Sequence, residues 1–113
     1  MIVPMAGDAE AEDRVRMAVE RLRGTRLAQQ WPPGALSAGT RVSVVHDTAW
    51  AGPWQQVFTG TVSGMGAPEP VIHDHARPGE LAYWVDFDEP QLDSDGDGPY
   101  RTALIWDRYL RAQ

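Results

Sequence analysis

The chain has 113 residues, a formal net charge of −6 and no cysteine. That length fits one domain, which at this size buries roughly two-thirds of the surface its unfolded chain exposes. Without cysteine there are no disulfides, thiolate metal ligands or thiol nucleophile, and the acidic balance with no basic stripe argues against nucleic acid as a partner.

Residues 1–7 read as a flexible N-terminus with neither a basic region nor a long apolar stretch, and no run approaches the ~18 to 20 apolar residues that cross a bilayer. The expectation is a cytoplasmic, soluble protein. Residues 8–24 read as an amphipathic α-helix: Val15, Ala18, Val19 and Leu22 recur at helical spacing and share one stripe. Asp8 suits the N-cap, Arg21 and Arg23 fall in the last turn, and Gly24 can close it. The stripe is narrow, so the helix is expected to lie on the rest of the chain or on a partner.

Residues 25–39 include QQWPPGALSAG, rich in proline, glycine and small side chains, and read as an extended linker. Beyond it, over 40–113, the period changes. The runs RVSVVH (41–46), VFTGTVSG (57–64), LAYWVDFD (81–88) and RTALIW (101–106) are β-branched or aromatic and separated by Gly, Pro and Asp clusters. In the third, Leu81, Tyr83, Val85 and Phe87 share one face and Trp84, Asp86 and Asp88 the other, as in a half-buried strand. DRYLRAQ adds a fifth short element. The predicted fold is mainly β: a small SH3-like barrel of four to five short antiparallel strands preceded by one N-terminal amphipathic helix, with curling of the sheet removing its exposed edges.

Between these elements lie the candidate sites. TAWAGPW places Trp50 and Trp54 in a loop, where large rings either fold back over the core or offer rigid area to another protein. Trp31, before two prolines, is a similar candidate, whereas Trp84 and Trp106 fall in strands and read as packing. His73 and His75 flank Asp74, with His46 as a third metal ligand by spacing alone, but HDHARPG also reads as an exposed loop. DSDGDG sets Asp93, Asp95 and Asp97 at the spacing of the first ligands of a calcium loop. The twelfth position, where a bidentate carboxylate is required, is Leu104, and Pro99 and a strand follow, so a solvated turn is the expected reading. No G-x-S-x-G, H-E-x-x-H or phosphate-cradling glycine loop occurs.

From about Ala38 to Arg111 the order of residues resembles the C-terminal barrel of the nitrile hydratase β subunit and the corresponding small subunit of thiocyanate hydrolase. The resemblance rests on G-T-R-V at Gly39 to Val42, T-G-T-V at Thr59 to Val62, and H-x-H-A-x-x-G at His73 to Gly79. It continues in Y-W-V-x-F at Tyr83 to Phe87 and Y-x-x-x-x-I-W-x-x-Y-L at Tyr100 to Leu110. It implies a non-catalytic partner of a cysteine-rich α-type subunit, with cobalt or iron in that partner and no cofactor in this chain. Family arginines that contact the oxidised cysteines are replaced here by Pro53, Gln56 and Thr59. Gln56 keeps an amide donor, so Trp31, Trp50, Trp54 and Gln56 are the expected partner-binding residues. The same fold occurs in ferrous iron transport protein A, which leaves a freestanding binding or regulatory module, as monomer or homodimer, as the alternative. A metal-dependent enzyme built on His46, His73 and His75 is a third.

Overall fold

The structure, a computed structural model, describes residues 5–47 and 52–113. Helix α1 spans Met5–Arg23, so it begins before Asp8, which lies inside the helix and does not cap it. It ends as the sequence suggests: Gly24 adopts a φ of 73°, and its N–H returns to the Glu20 carbonyl at 2.8 Å.

Among the described residues six antiparallel strands follow: β1 (Arg41–Val44), β2 (Phe58–Val62), β3 (Glu69–Pro70), β4 (Leu81–Gln91), β5 (Tyr100–Trp106) and β6 (Leu110–Ala112). They form one curled sheet in which β4 pairs with β2, β3 and β5, and β1 lies between β2 and β6. A one-turn 3-10 helix, Asp107–Tyr109, carries the chain from the β5 side across to β6. The fold is a small SH3-like half-barrel with an N-terminal helix. Relative to the sequence reading, the extra strand is the two-residue β3. The pairing of β4 with β5 shifts register between Asp86 and Gln91, a stretch that includes Pro90, and the strand runs to Gln91, past the end expected at Asp88.

The core follows from the alternation. Tyr83 and Val85 are buried with Val42, Val44, Phe58, Val62, Ile105, Tyr109 and Leu110, and Leu81 and Phe87 pack against them. Gly60 lets β2 and β4 approach closely: a Cβ there would stand 2.5 Å from the Asp86 carbonyl oxygen. Trp84 points the other way, into a second cluster with Leu27 and Met65 against which Val19 of α1 packs.

Helix α1 does not seat on its whole apolar stripe. Among its residues of described burial the half-buried ones are Glu12, Arg16, Val19 and Glu20, whereas Leu22 is 89% exposed and Val15 and Ala18 also face outward. Polar contacts fix this roll. Arg23 forks onto Glu69 of β3 at 2.8 and 3.1 Å and lies over the Trp84 ring, and Glu20 accepts the Leu27 N–H at 2.9 Å. The 25–39 segment is extended, yet it is held to the barrel: Ala67 N–H bonds to the Ala28 carbonyl, Gln29 to the Met65 carbonyl, and the Leu36 N–H to the Tyr83 hydroxyl.

Candidate functional site

The predicted contact residues fall in different environments. Trp50 lies outside the described residues. Trp31 is half-buried and packs against the main core. Trp54 is only 9% exposed; its ring meets Phe58, Phe87 and Tyr100 edge to face, with centroids 5.7, 5.1 and 5.8 Å away. Of the two fates open to a loop tryptophan, it takes the inward one. Gln56 is exposed and adjoins Val57, which is 58% exposed. Leu92 and Tyr100 are also partly exposed: the Gln55 N–H bonds to the Leu92 carbonyl, and Tyr100 touches Trp54.

Trp54 also forms one wall of a cavity of about 200 Å³, together with Pro53, His73, Ile105, Trp106 and Tyr109. The walls come from the β1–β2 connection, the β3–β4 connection, β5 and the 3-10 turn, so the curl of the sheet assembles them from distant parts of the chain. His73 sits edge-on to Trp106 with centroids 5.2 Å apart. The Trp54 indole N–H is buried and has no acceptor among the described residues. Burial pushes the pKa of the Tyr109 hydroxyl up, keeping it protonated. These walls offer aromatic and apolar contact to an occupant.

Beneath the turn lies an ion pair that no local sequence signal announces. Glu80, buried, accepts from Arg108 Nη2 at 2.7 Å and Nε at 3.0 Å, and also from the backbone N–H of Arg77 and of Arg108. The Arg108 fork holds the Glu80 carboxyl down to about 2. Arg108 donates further to the His75 carbonyl and lies 3.9 Å from Asp47. Arg108 therefore ties the 3-10 turn to the β3–β4 connection and fixes two walls of the cavity.

The metal candidates separate. His73 and His75 stack at 5.3 Å, while His46 lies elsewhere, its Nε2 3.3 Å from the Trp54 carbonyl. Among the described residues the three histidines do not meet as a ligand set. Asp93, Asp95 and Asp97 do meet, with carboxylate oxygens within 4.8 Å of one another. Their arrangement is that of a turn: Asp93 Oδ1 accepts the backbone N–H of Asp95 at 3.0 Å and of Asp97 at 2.9 Å. Burial and these neighbouring negative charges raise the pKa of Tyr100.

No helix among the described residues is long and apolar enough to cross a membrane. No family model, no curated protein and no solved structure matches the chain.

Proposed function

We propose that the chain is a non-catalytic SH3-like subunit or accessory protein of a nitrile hydratase-like or thiocyanate hydrolase-like assembly, packing against a cysteine-rich α-type subunit. Four of the five segments of the resemblance coincide with barrel elements, and the fifth, His73 to Gly79, lies in the β3–β4 connection; this order supports the reading. Gly39 to Val42 leads into β1, Thr59 to Val62 lies in β2, Tyr83 to Phe87 in β4, and Tyr100 to Leu110 runs through β5 and the 3-10 turn into β6.

The observation that carries the proposal is the exposed Val57 side chain beside the exposed Gln56, at the position where the resemblance places the family's partner-facing arginines. In this reading the metal belongs to the partner, because a chain with no cysteine has no thiolate to give it. Gln56 would donate one neutral hydrogen bond to an oxidised-cysteine oxygen in place of a guanidinium fork.

The test is co-expression with an α-type subunit encoded beside it, followed by gel filtration. Co-elution with metal in the complex is expected, and Val57→Asp should abolish it without unfolding the barrel. A chain that elutes alone beside such a partner overturns the proposal and favours a freestanding binding module.

A further inference from the structure

Among the described residues the sheet leaves the outer edges of β3, β5 and β6 without a neighbouring strand, and the three are not alike. Strand β3 has only two residues, one of them Pro70. Strand β6 has three, and its Arg111 turns back to donate to the Arg108 and Leu110 carbonyls at 2.9 and 2.8 Å. Shortness, proline and charge are the ordinary means of closing an edge. Strand β5 has none of these beyond Arg101: its seven residues, YRTALIW, are otherwise uncharged and contain no proline.

The direction of its backbone groups follows from β4. Glu80 and Trp84 turn their carbonyls toward the β2 and β3 side, accepting from the N–H groups of Val71 and Ser63 at 3.0 and 2.7 Å. Tyr83 and Val85 therefore face β5, where their opposite numbers are Ile105 and Ala103. The N–H and carbonyl of Thr102 and of Leu104 consequently point away from the sheet. Both residues are half-exposed, and among the described residues no backbone hydrogen bond from another element reaches them.

We propose that β5 pairs antiparallel with β5 of a second copy of this chain, about a two-fold axis at Ala103. In that register Thr102 lies opposite the partner's Leu104, and each such pair exchanges both backbone hydrogen bonds. Ala103 meets its own counterpart at the axis, in the non-bonded position where side chains come closest, and a methyl group fits there. Charge selects a second copy as the occupant. Arg101 opens the strand and Asp107 directly follows it; both are exposed and neither has an ion-pair partner among the described residues. Antiparallel pairing brings the partner's Asp107 to a diagonal position from Arg101, about 7–8 Å away at the backbone and within reach of a long side chain. The two-fold axis repeats that contact, so one strand supplies both charges. This edge involves neither Gln56 nor Val57 and does not rest on the assembly proposed above.

The experiment is sedimentation equilibrium of the full chain from micromolar to millimolar concentration. A reversible equilibrium between monomer and dimer is expected. Thr102→Pro removes an outward donor and leaves the bonds to β4 in place, losing otherwise only the hydroxyl contact with Asp86. It should weaken dimerisation by about tenfold or more, through two symmetry-related hydrogen bonds, with an unchanged circular dichroism spectrum. Arg101→Asp, which sets like charges together, should weaken it about fivefold, and adding Asp107→Arg to that variant should restore the wild-type affinity. The charge exchange decides the matter should Thr102→Pro not fold. A chain that stays monomeric at millimolar concentration overturns the proposal. So does a dimer unaffected by both Thr102→Pro and Arg101→Asp, which would use another surface. A loss in Arg101→Asp that the second exchange does not repair would overturn the antiparallel register.

Discussion

Glu80 and Arg108, 28 residues apart in the chain, clasp each other below the surface, with two guanidinium nitrogens on the two carboxylate oxygens. The pair joins the start of β4 to the 3-10 turn, which is the point where the chain crosses from one side of the curled sheet to the other.

Glu80→Gln is therefore expected to destabilise the fold by about 3 kcal/mol, the cost of leaving a buried guanidinium without its carboxylate. Urea denaturation measures it as a lower midpoint with an unchanged slope. Arg108→Lys should cost nearly as much, because an ammonium cannot reproduce the fork. A loss well below 1 kcal/mol in Glu80→Gln would mean that Asp47, 3.9 Å from Arg108, takes over the charge.

The same pair predicts an acid limb. Arg108 lowers the Glu80 carboxyl from its ordinary 4.5 to about 2, so between those values the unfolded chain takes up a proton that the folded chain refuses. Stability supplied by this group is fully present above about pH 4.5 and lost as pH falls toward 2. The difference in unfolding free energy between wild type and Glu80→Gln should shrink across that window. A constant difference would contradict the lowered value.

Gly60→Ala tests the close approach of β2 and β4. Its Cβ would meet the Asp86 carbonyl oxygen at 2.5 Å and Val85 Cγ1 at 2.9 Å, and the backbone oxygen can only move with its strand. The expected cost is about 2 kcal/mol or more, read as a drop in thermal midpoint.

In the acidic turn the three carboxylates are not equivalent. Asp93→Ala removes the acceptor of two backbone N–H groups and should cost about 1 kcal/mol. Asp95→Ala should change stability by less than about 0.5 kcal/mol, as for a solvated surface side chain. Parallel melts of the two variants give the comparison; equal losses would argue that the turn is not held through Asp93.

What the sequence made legible was what depends on near neighbours. The alternation of Leu81, Tyr83, Val85 and Phe87 announced which face of β4 is buried, and Gly24 announced the end of α1. The roll of the helix was not legible, because periodicity shows which residues are apolar and not which face has charged anchors. Here Glu20 and Arg23 decide the seat, and Leu22 is left outside. The fate of Trp54 was equally undecidable locally, since Phe58, Phe87 and Tyr100, which enclose it, come from three different strands. The cavity has the same origin: residues 53, 73, 105 and 109 become neighbours only once the sheet curls. Glu80 follows Pro78 and Gly79, and nothing near it in sequence identifies Arg108 as its partner.

The Arg23–Glu69 fork, lying at the surface, has a consequence for how the molecule comes apart. Exposed ion pairs are screened over about 8 Å at physiological ionic strength, while the apolar interior of the barrel is indifferent to added sodium chloride at such levels. Helix and barrel thus answer to different solvents. Added salt should therefore loosen the seat of the helix, which Val19 and Glu20 also hold, more than it loosens the barrel.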